Sequence, residues 1–416
     1  MDVEIITIGD ELLIGQVVDT NSVWMAKELE KEGFRVTWKT AVGDVDTHIS
    51  EAIDAAMKRA KVVLLTGGIG PTKDDITRNT LCRYFDSGLH FSEEVYQNIL
   101  QMFHCSGREM NALTRLQAMV PDKCTVVRNR AGTAPCMWFD RDGRVLVSMP
   151  GVPHEMQWLM TNEIIPRLTQ VFGRDAYIRH HTVWVTGYSE SALALTLESF
   201  EAELPPFVKL AYLPQAGLIR LRLSACTGSD EKALQAIAGE KEKLHTLLGC
   251  HILSEEDKAP EALIGEALLA KGLRMGTAES CTGGTIASKI TSVAGSSRYF
   301  AGSVVSYSNH VKRGLLGVSE RDLQEHGAVS REVVEQMARG ALQALDCDCV
   351  VATSGIAGPE GGTADKPVGM VWIAVGRKGE VISRCFRFGS TLREVNIARA
   401  SNTALLMLLE LLNKAV

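Results

Sequence analysis

The sequence predicts an α/β protein built from three consecutive domains, at 1–170, 171–255 and 256–416. Three observations carry that reading. The first third alternates short β-branched runs with helical patterns, at 3–8, 22–31, 34–40, 49–59 and 62–66. That rhythm is the signature of βαβ units and a parallel sheet. The pattern changes after Pro150-Gly151-Val152-Pro153, and an acidic, proline-bearing segment at 254–260 then marks a boundary.

Each element has a local reason. Asp19, Thr20, Asn21 and Ser22 supply N-cap chemistry for a helix that Gly33 ends. A helix from 154 to about 168 closes the first domain. The middle domain reads as a small α+β unit: a strand at 182–185, a helix at 189–199, strands at 207–213 and 218–225, and a helix running to 248. The segment 254–260 reads as an exposed linker. The third domain returns to α/β, with a helix at 261–270, a strand at 273–277, a Gly-rich turn and a strand at 303–307. A helix at 331–345, strands near 350, 371 and 381, and a last helix at 393–412 complete it.

Composition narrows the function classes. A chain of 416 residues exceeds one hydrophobic core, and 45% hydrophobic with 23% charged residues is the balance of a folded globular protein. Net charge is −6 and the basic residues are scattered, so no electrostatic footprint for nucleic acid is expected. Ten cysteines without a C-x-x-C pair predict a reducing compartment. The N-terminus lacks a signal-peptide pattern, and the most apolar stretch, 404–412, is interrupted by Glu410, so a cytoplasmic protein without membrane contact is expected.

Chemistry concentrates in two places. In the third domain, Ala278-Glu279-Ser280-Cys281-Thr282-Gly283-Gly284 lies where a strand turns into a helix, so hydroxyls meet free backbone N–H groups able to hold an oxyanion. A nucleophilic serine needs a base. The only histidines there are His310 and His326, and no Ser/His/Asp set presents itself, which leaves Lys312, with Tyr307, at the end of the next strand. The alternative is that Ser280 and Thr282 are helix caps and Lys312 a solvated side chain, and Cys281 is a rival nucleophile. Two further Gly-rich segments, holding Ser354, Gly355, Gly358, Gly361 and Gly362 and then Lys366, have the glycines that let a phosphate approach backbone amides, although both also suit simple turns.

In the first domain, the loops after 3–8 and 62–66 belong at the C-terminal edge of a parallel sheet, where α/β proteins bind ligands. Gly67, Gly68 and Gly70, with Thr72, form a phosphate loop, and Asp10, Glu11, Asp44, Asp74 and Asp75 offer oxygen ligands to a divalent cation. Asp74 and Asp75 also suit a cap on a helix at 75–84.

The ordered set AESCTGG, YSN followed by Lys312, EHGAVS, SGIAGPEGGT and KPVG closely resembles the CinA C-terminal domain, a PncC-type nicotinamide-mononucleotide amidohydrolase. The resemblance spans residues 261–416. It implies that Ser280 attacks the carboxamide carbon, that Lys312 and Tyr307 manage protons, and that Thr282, Gly283 and Gly284 help to bind substrate. The loop 355–362 and basic residues would hold the 5′-phosphate, Arg399 first among them. An acidic residue expected before Arg393 is absent, which leaves the role of Arg393 open.

The first domain resembles the MoaB/MogA-type molybdopterin-binding fold in its CinA variant, including the stretch Pro150 through Met156 that carries Glu155. This implies ADP-ribose pyrophosphatase activity with a divalent metal, to which Glu155 would contribute. A pterin ligand is the rival from the same fold, and a non-catalytic, nucleotide-sensing regulatory protein is the rival from another class. The middle unit is similar to KH domains, yet Gly187-Tyr188-Ser189-Glu190 lacks the second glycine of the G-x-x-G loop, so a spacer role is expected. The resemblance also implies a homodimer, no metal at the amidase site, and small nucleotides as the partners.

Overall fold

The structure is a computed structural model that describes every residue except 71, 73–74, 107–109, 175 and 414–416. The chain divides into two compact units, 1–179 with 224–237 and 180–223 with 238–416.

The first domain holds a six-stranded sheet in the order Arg35–Val42, Asp2–Ile8, Val62–Thr66, Arg144–Met149, Cys136–Arg141, Thr125–Val127. The first four strands run parallel, and the last two pairings are antiparallel because Cys136–Arg141 runs against both its neighbours, so the expected parallel sheet carries an antiparallel edge. Alternation along the strands feeds two cores. Val3, Ile5, Val62 and Leu64 pack with Met25, Leu29, Met156 and Leu159, while Ile6, Ile8, Val63 and Leu65 pack with Ile49, Ile53 and Phe85. Burying both faces explains why these strands read as continuous apolar runs. The cap at Asp19 is present, its side chain accepting from Ser22 N at 2.9 Å. Register places the ends level: Thr7 pairs with Thr66, and Thr66 with Met149. The loops beginning at Gly9, Gly67 and Pro150 therefore leave one sheet edge together.

In the middle segment, Val208–Gln215, Leu218–Thr227, Tyr177–Val185 and Ile252–Ser254 form a sheet in that order, with helices Glu190–Ala202 and Asp230–Leu248. The fourth strand takes in Ser254, the first residue of the expected exposed linker at 254–260, while 255–257 are exposed. Ser254 pairs with Trp184, and Asp257 accepts from Trp184 Nε1 at 3.2 Å and from Arg220.

The third domain has five strands in the order Phe300–Val305, Met275–Glu279, Cys349–Gly355, Met370–Arg377, Glu380–Arg387. The first three are parallel, and Met370–Arg377 runs antiparallel to both its neighbours. Pro260 opens helix Pro260–Lys271 and Gly272, with φ 63°, ends it in the left-handed conformation. The helix Arg393–Asn413 is long and apolar enough to cross a membrane by length and composition alone. Its Ala404, Leu405, Leu408 and Leu412 are instead buried in the core with Ile264, Leu268 and Ile373.

Candidate active site

Glu279 is level with both Val305 and Thr353 across the sheet, so three parallel strands reach the same edge and the next residue of each is a serine or continues into one: Ser280, Ser306 and Ser354. After Val305 the chain turns into helix Asn309–Leu316, capped by Ser308, and Lys312 lies on the inner face of that helix. Its amine is fully enclosed, at 1% exposure, and stands 2.9 Å from Ser280 Oγ. Burial pulls the Lys312 amine below the ordinary lysine value of 10.5. The same nitrogen donates to the carbonyls of Ser306 at 2.7 Å and Tyr307 at 3.4 Å. Lys312 Nζ thus donates to three acceptors, Ser280 Oγ and the two carbonyls; once the amine loses a proton, the carbonyls still hold two N–H groups and the lone pair faces Ser280. The reading of Lys312 as a solvated surface residue does not survive this burial.

Glu279, one residue before the serine, was not singled out by sequence reasoning. Its buried carboxylate accepts from the backbone N–H groups of Gly284, Ile286 and Ala287 at 3.0, 3.0 and 2.8 Å. The expectation that these helix N-terminal donors are free is corrected, because the carboxylate satisfies them first. The two residues after Ser280 have N–H groups not engaged elsewhere in the backbone: that of Thr282 has no hydrogen-bond partner among the described residues, and that of Cys281 meets only its own thiol. They are the donors available to an oxyanion. The signal for Glu279 was present, since a carboxylate before a Gly-Gly turn suits a helix N-terminus. Cys281 is buried and burial pushes its thiol up to about 12, which leaves almost no thiolate at neutral pH.

Several residues expected to bind substrate have other partners. Thr282 Oγ1 pairs with Thr353 Oγ1 at 2.8 Å, and Ser354 Oγ donates to Ala328 O at 2.6 Å. Gly283 and Gly284 have φ of 61° and 97°, the left-handed conformation this turn requires. Gly355 packs so closely on Val371 that a side chain there would clash, and Gly362 meets Val368. Gly358 and Gly361 turn the connecting loop with positive φ. Lys366 Nζ donates to His326 O at 2.6 Å and Arg399 Nη1 to Phe388 O at 2.7 Å. Arg393 is the basic residue that reaches the site, donating to Tyr307 Oη and to Gly358 O, each at 3.0 Å.

At the first domain's sheet edge a cavity of about 410 Å³ is lined by Gly67, Gly68, Gly70, Glu11, Asp44, Asp75 and Glu155. Thr72 and Asp10 are not among its lining residues. Asp75 does not cap the helix Thr77–Tyr84, whose N-cap is Ile76; its carboxylate accepts from Thr72 N at 2.9 Å. Asp10 and Asp44 exchange backbone N–H to carboxylate bonds of 3.0 and 3.2 Å. Glu155 accepts from Asn129 Nδ2 at 2.6 Å, and burial raises its carboxyl above the ordinary range. Asp74 lies outside the described residues.

The chain matches the "CinA C-terminal domain" over residues 257–412 and the "Probable molybdopterin binding domain" over residues 4–170. A CinA-like protein of Flavobacterium psychrophilum is 44% identical over 411 residues, covering 98% of each chain. One from Cytophaga hutchinsonii is 41% identical, covering 95% of this chain and 94% of the relative. This chain belongs to the CinA family. The crystal structure of a competence/damage inducible protein from Agrobacterium tumefaciens, 42% identical, covers 39% of this CinA-family chain and 100% of its own, with a TM-score of 0.36.

Whether this CinA-family chain can hold the divalent metal expected at its first domain depends on the carboxylates. Among the described residues no three His, Cys, Asp or Glu side chains converge as a cage. Glu11, Asp44, Asp75 and Glu155 share one cavity wall instead. That arrangement fits a magnesium-like ion held by one or two carboxylates, with ligand phosphates completing the shell.

Proposed function

We propose that the third domain is a serine–lysine amidohydrolase that converts nicotinamide mononucleotide and water to nicotinate mononucleotide and ammonia. The observation that carries this reading is the buried 2.9 Å contact between Lys312 Nζ and Ser280 Oγ. Neutral Lys312 takes the Ser280 proton as Oγ attacks the carboxamide carbon. The N–H groups of Cys281 and Thr282 hold the oxyanion, and the Lys312 ammonium returns its proton to the departing amine. Lys312 then deprotonates water, which attacks the acyl-enzyme and frees the carboxylate and Ser280. Tyr307, 62% exposed, offers a ring face to the cationic pyridinium, and Arg393 offers charge to the phosphate. Ammonia release from nicotinamide mononucleotide tests the reading; an inert wild-type protein overturns it and favours a nucleotide sensor.

A second activity is favoured by the cavity that joins Gly67, Gly68 and Gly70 to four carboxylates. There the first domain hydrolyses ADP-ribose to AMP and ribose 5-phosphate, with Glu11, Asp44, Asp75 and Glu155 as the residues able to hold a divalent cation. The cation supplies charge neutralisation at the pyrophosphate. Hydrolysis lost on EDTA and restored by magnesium supports this, whereas metal-independent hydrolysis, or binding of a pterin without hydrolysis, overturns it. The three-domain division and a homodimeric assembly belong to the same proposal, the latter read by light scattering.

A further inference from the structure

Behind the nucleotide cavity of the first domain lies a second, separate one of about 450 Å³, lined by Asn98, Gln101, Met102, Arg128 and Arg130. No carboxylate lines it among the described residues, although the whole chain is acidic. Arg128 is held in place by neutral acceptors: its Nε donates to Asn98 Oδ1 at 3.1 Å and its Nη2 to Gln101 Oε1 at 2.9 Å. Amide oxygens orient a guanidinium without cancelling its charge. Arg130 makes no hydrogen bond or ion pair with any described residue.

The support is rigid. Asn98 is buried and donates to Asn129 O at 2.7 Å and Gly132 O at 3.3 Å, while Asn129 is tied to Ala134 O and Glu155. The loop 128–134 therefore presents Arg128 and Arg130 to one cavity and Thr133 and Ala134 to the nucleotide cavity on its other side. Only a slit of about 10 Å³, lined by Asn98, Asn129, Thr133 and Ala134, lies between them, too narrow for a ligand to pass.

We propose that Arg128 and Arg130 form a second anion site, independent of the nucleotide cavity, for a phosphate-bearing small molecule. Two guanidiniums that line one cavity, Arg128 oriented by amide oxygens and Arg130 without a partner among the described residues, suit the several oxygens of a phosphate. The volume admits a phosphate with a small organic body.

The test is calorimetric titration of the full chain with inorganic phosphate and with glycerol 3-phosphate at 150 mM salt. Arg130→Glu alters an exposed residue without partners, so it leaves the fold intact, and Arg128→Gln is the second variant. Affinity reduced at least tenfold in both, with ADP-ribose binding retained, is the expected result. Tighter binding of glycerol 3-phosphate than of phosphate identifies an organic phosphomonoester as the ligand, and equal binding identifies phosphate itself. Phosphate uptake that is absent in the wild type, or unchanged in both variants, overturns the proposal.

Discussion

The amine of Lys312 stands 2.9 Å from the hydroxyl of Ser280, with the lysine fully buried and the serine 9% exposed. Burial lowers the lysine pKa, so the neutral, proton-accepting form becomes available at lower pH than in a free lysine. Deamidation is therefore expected to rise with pH and to level off below 10.5, the ordinary lysine value. Stability follows the same sign: between the folded and unfolded pKa values the unfolded chain binds more protons, so folding strengthens as pH rises through that window. A pH–rate profile of kcat/KM checks this. A rate that falls with pH across the range contradicts a lysine base.

Substitutions at the pair should separate nucleophile, base and bystander. Ser280→Ala and Lys312→Ala are each expected to lower deamidation by at least about 10³-fold while nucleotide binding persists. Lys312→Arg should fail too, because a guanidinium stays protonated. Cys281→Ala should cost less than about tenfold, since burial holds that thiol protonated. A Cys281→Ala loss equal to that of Ser280→Ala identifies a thiol mechanism instead.

The parallel strands and the Ser280–Lys312 pairing were legible because apolar periodicity and motif order are local properties of the chain. The helix Asn309–Leu316 was not read, although it is the element that swings Lys312 under Ser280. Its eight residues are too short for a clear helical period and include Gly314. The partners of Ser354, Lys366 and Arg399 were equally hidden: each binds a carbonyl from a turn or neighbouring loop, and backbone acceptors leave no trace in side-chain spacing. Carboxylates counted as metal ligands shared one cavity without converging, because sequence places residues on an edge but does not set the distances between them.

Glu279 is expected to be a positioning residue for Ser280. Replacing it with Gln sets an amide N–H₂ against three backbone N–H donors that now share one carboxylate. Leaving buried donors unsatisfied costs about 1–3 kcal/mol, and here the loss falls on the turn that carries the nucleophile. Thermal denaturation should show a less stable protein and deamidation should fall in kcat more than in KM. Unchanged stability in Glu279→Gln would mean that the carboxylate is not holding this turn.

Arg393 and Arg399 lie six residues apart on the last helix, and only the first touches the site. Arg393 joins Tyr307 Oη to Gly358 O, whereas Arg399 bonds the carbonyl of Phe388. A hydrogen bond to a charged group contributes about 1.5–3 kcal/mol, so Arg393→Ala is expected to lower kcat/KM by roughly 10- to 100-fold. If the arginine binds phosphate in ground and transition states alike, the loss appears mostly in KM. Arg399→Ala should change kcat/KM by less than about fivefold. Tyr307→Phe removes the hydroxyl that Arg393 holds but keeps the ring face, so it separates orientation from stacking. In the double variant Arg393→Ala/Tyr307→Phe the two effects should not add, because each single change already breaks their shared bond. Strict additivity would show that the contact is incidental, and a larger loss in Arg399→Ala than in Arg393→Ala would move the phosphate contact to Arg399.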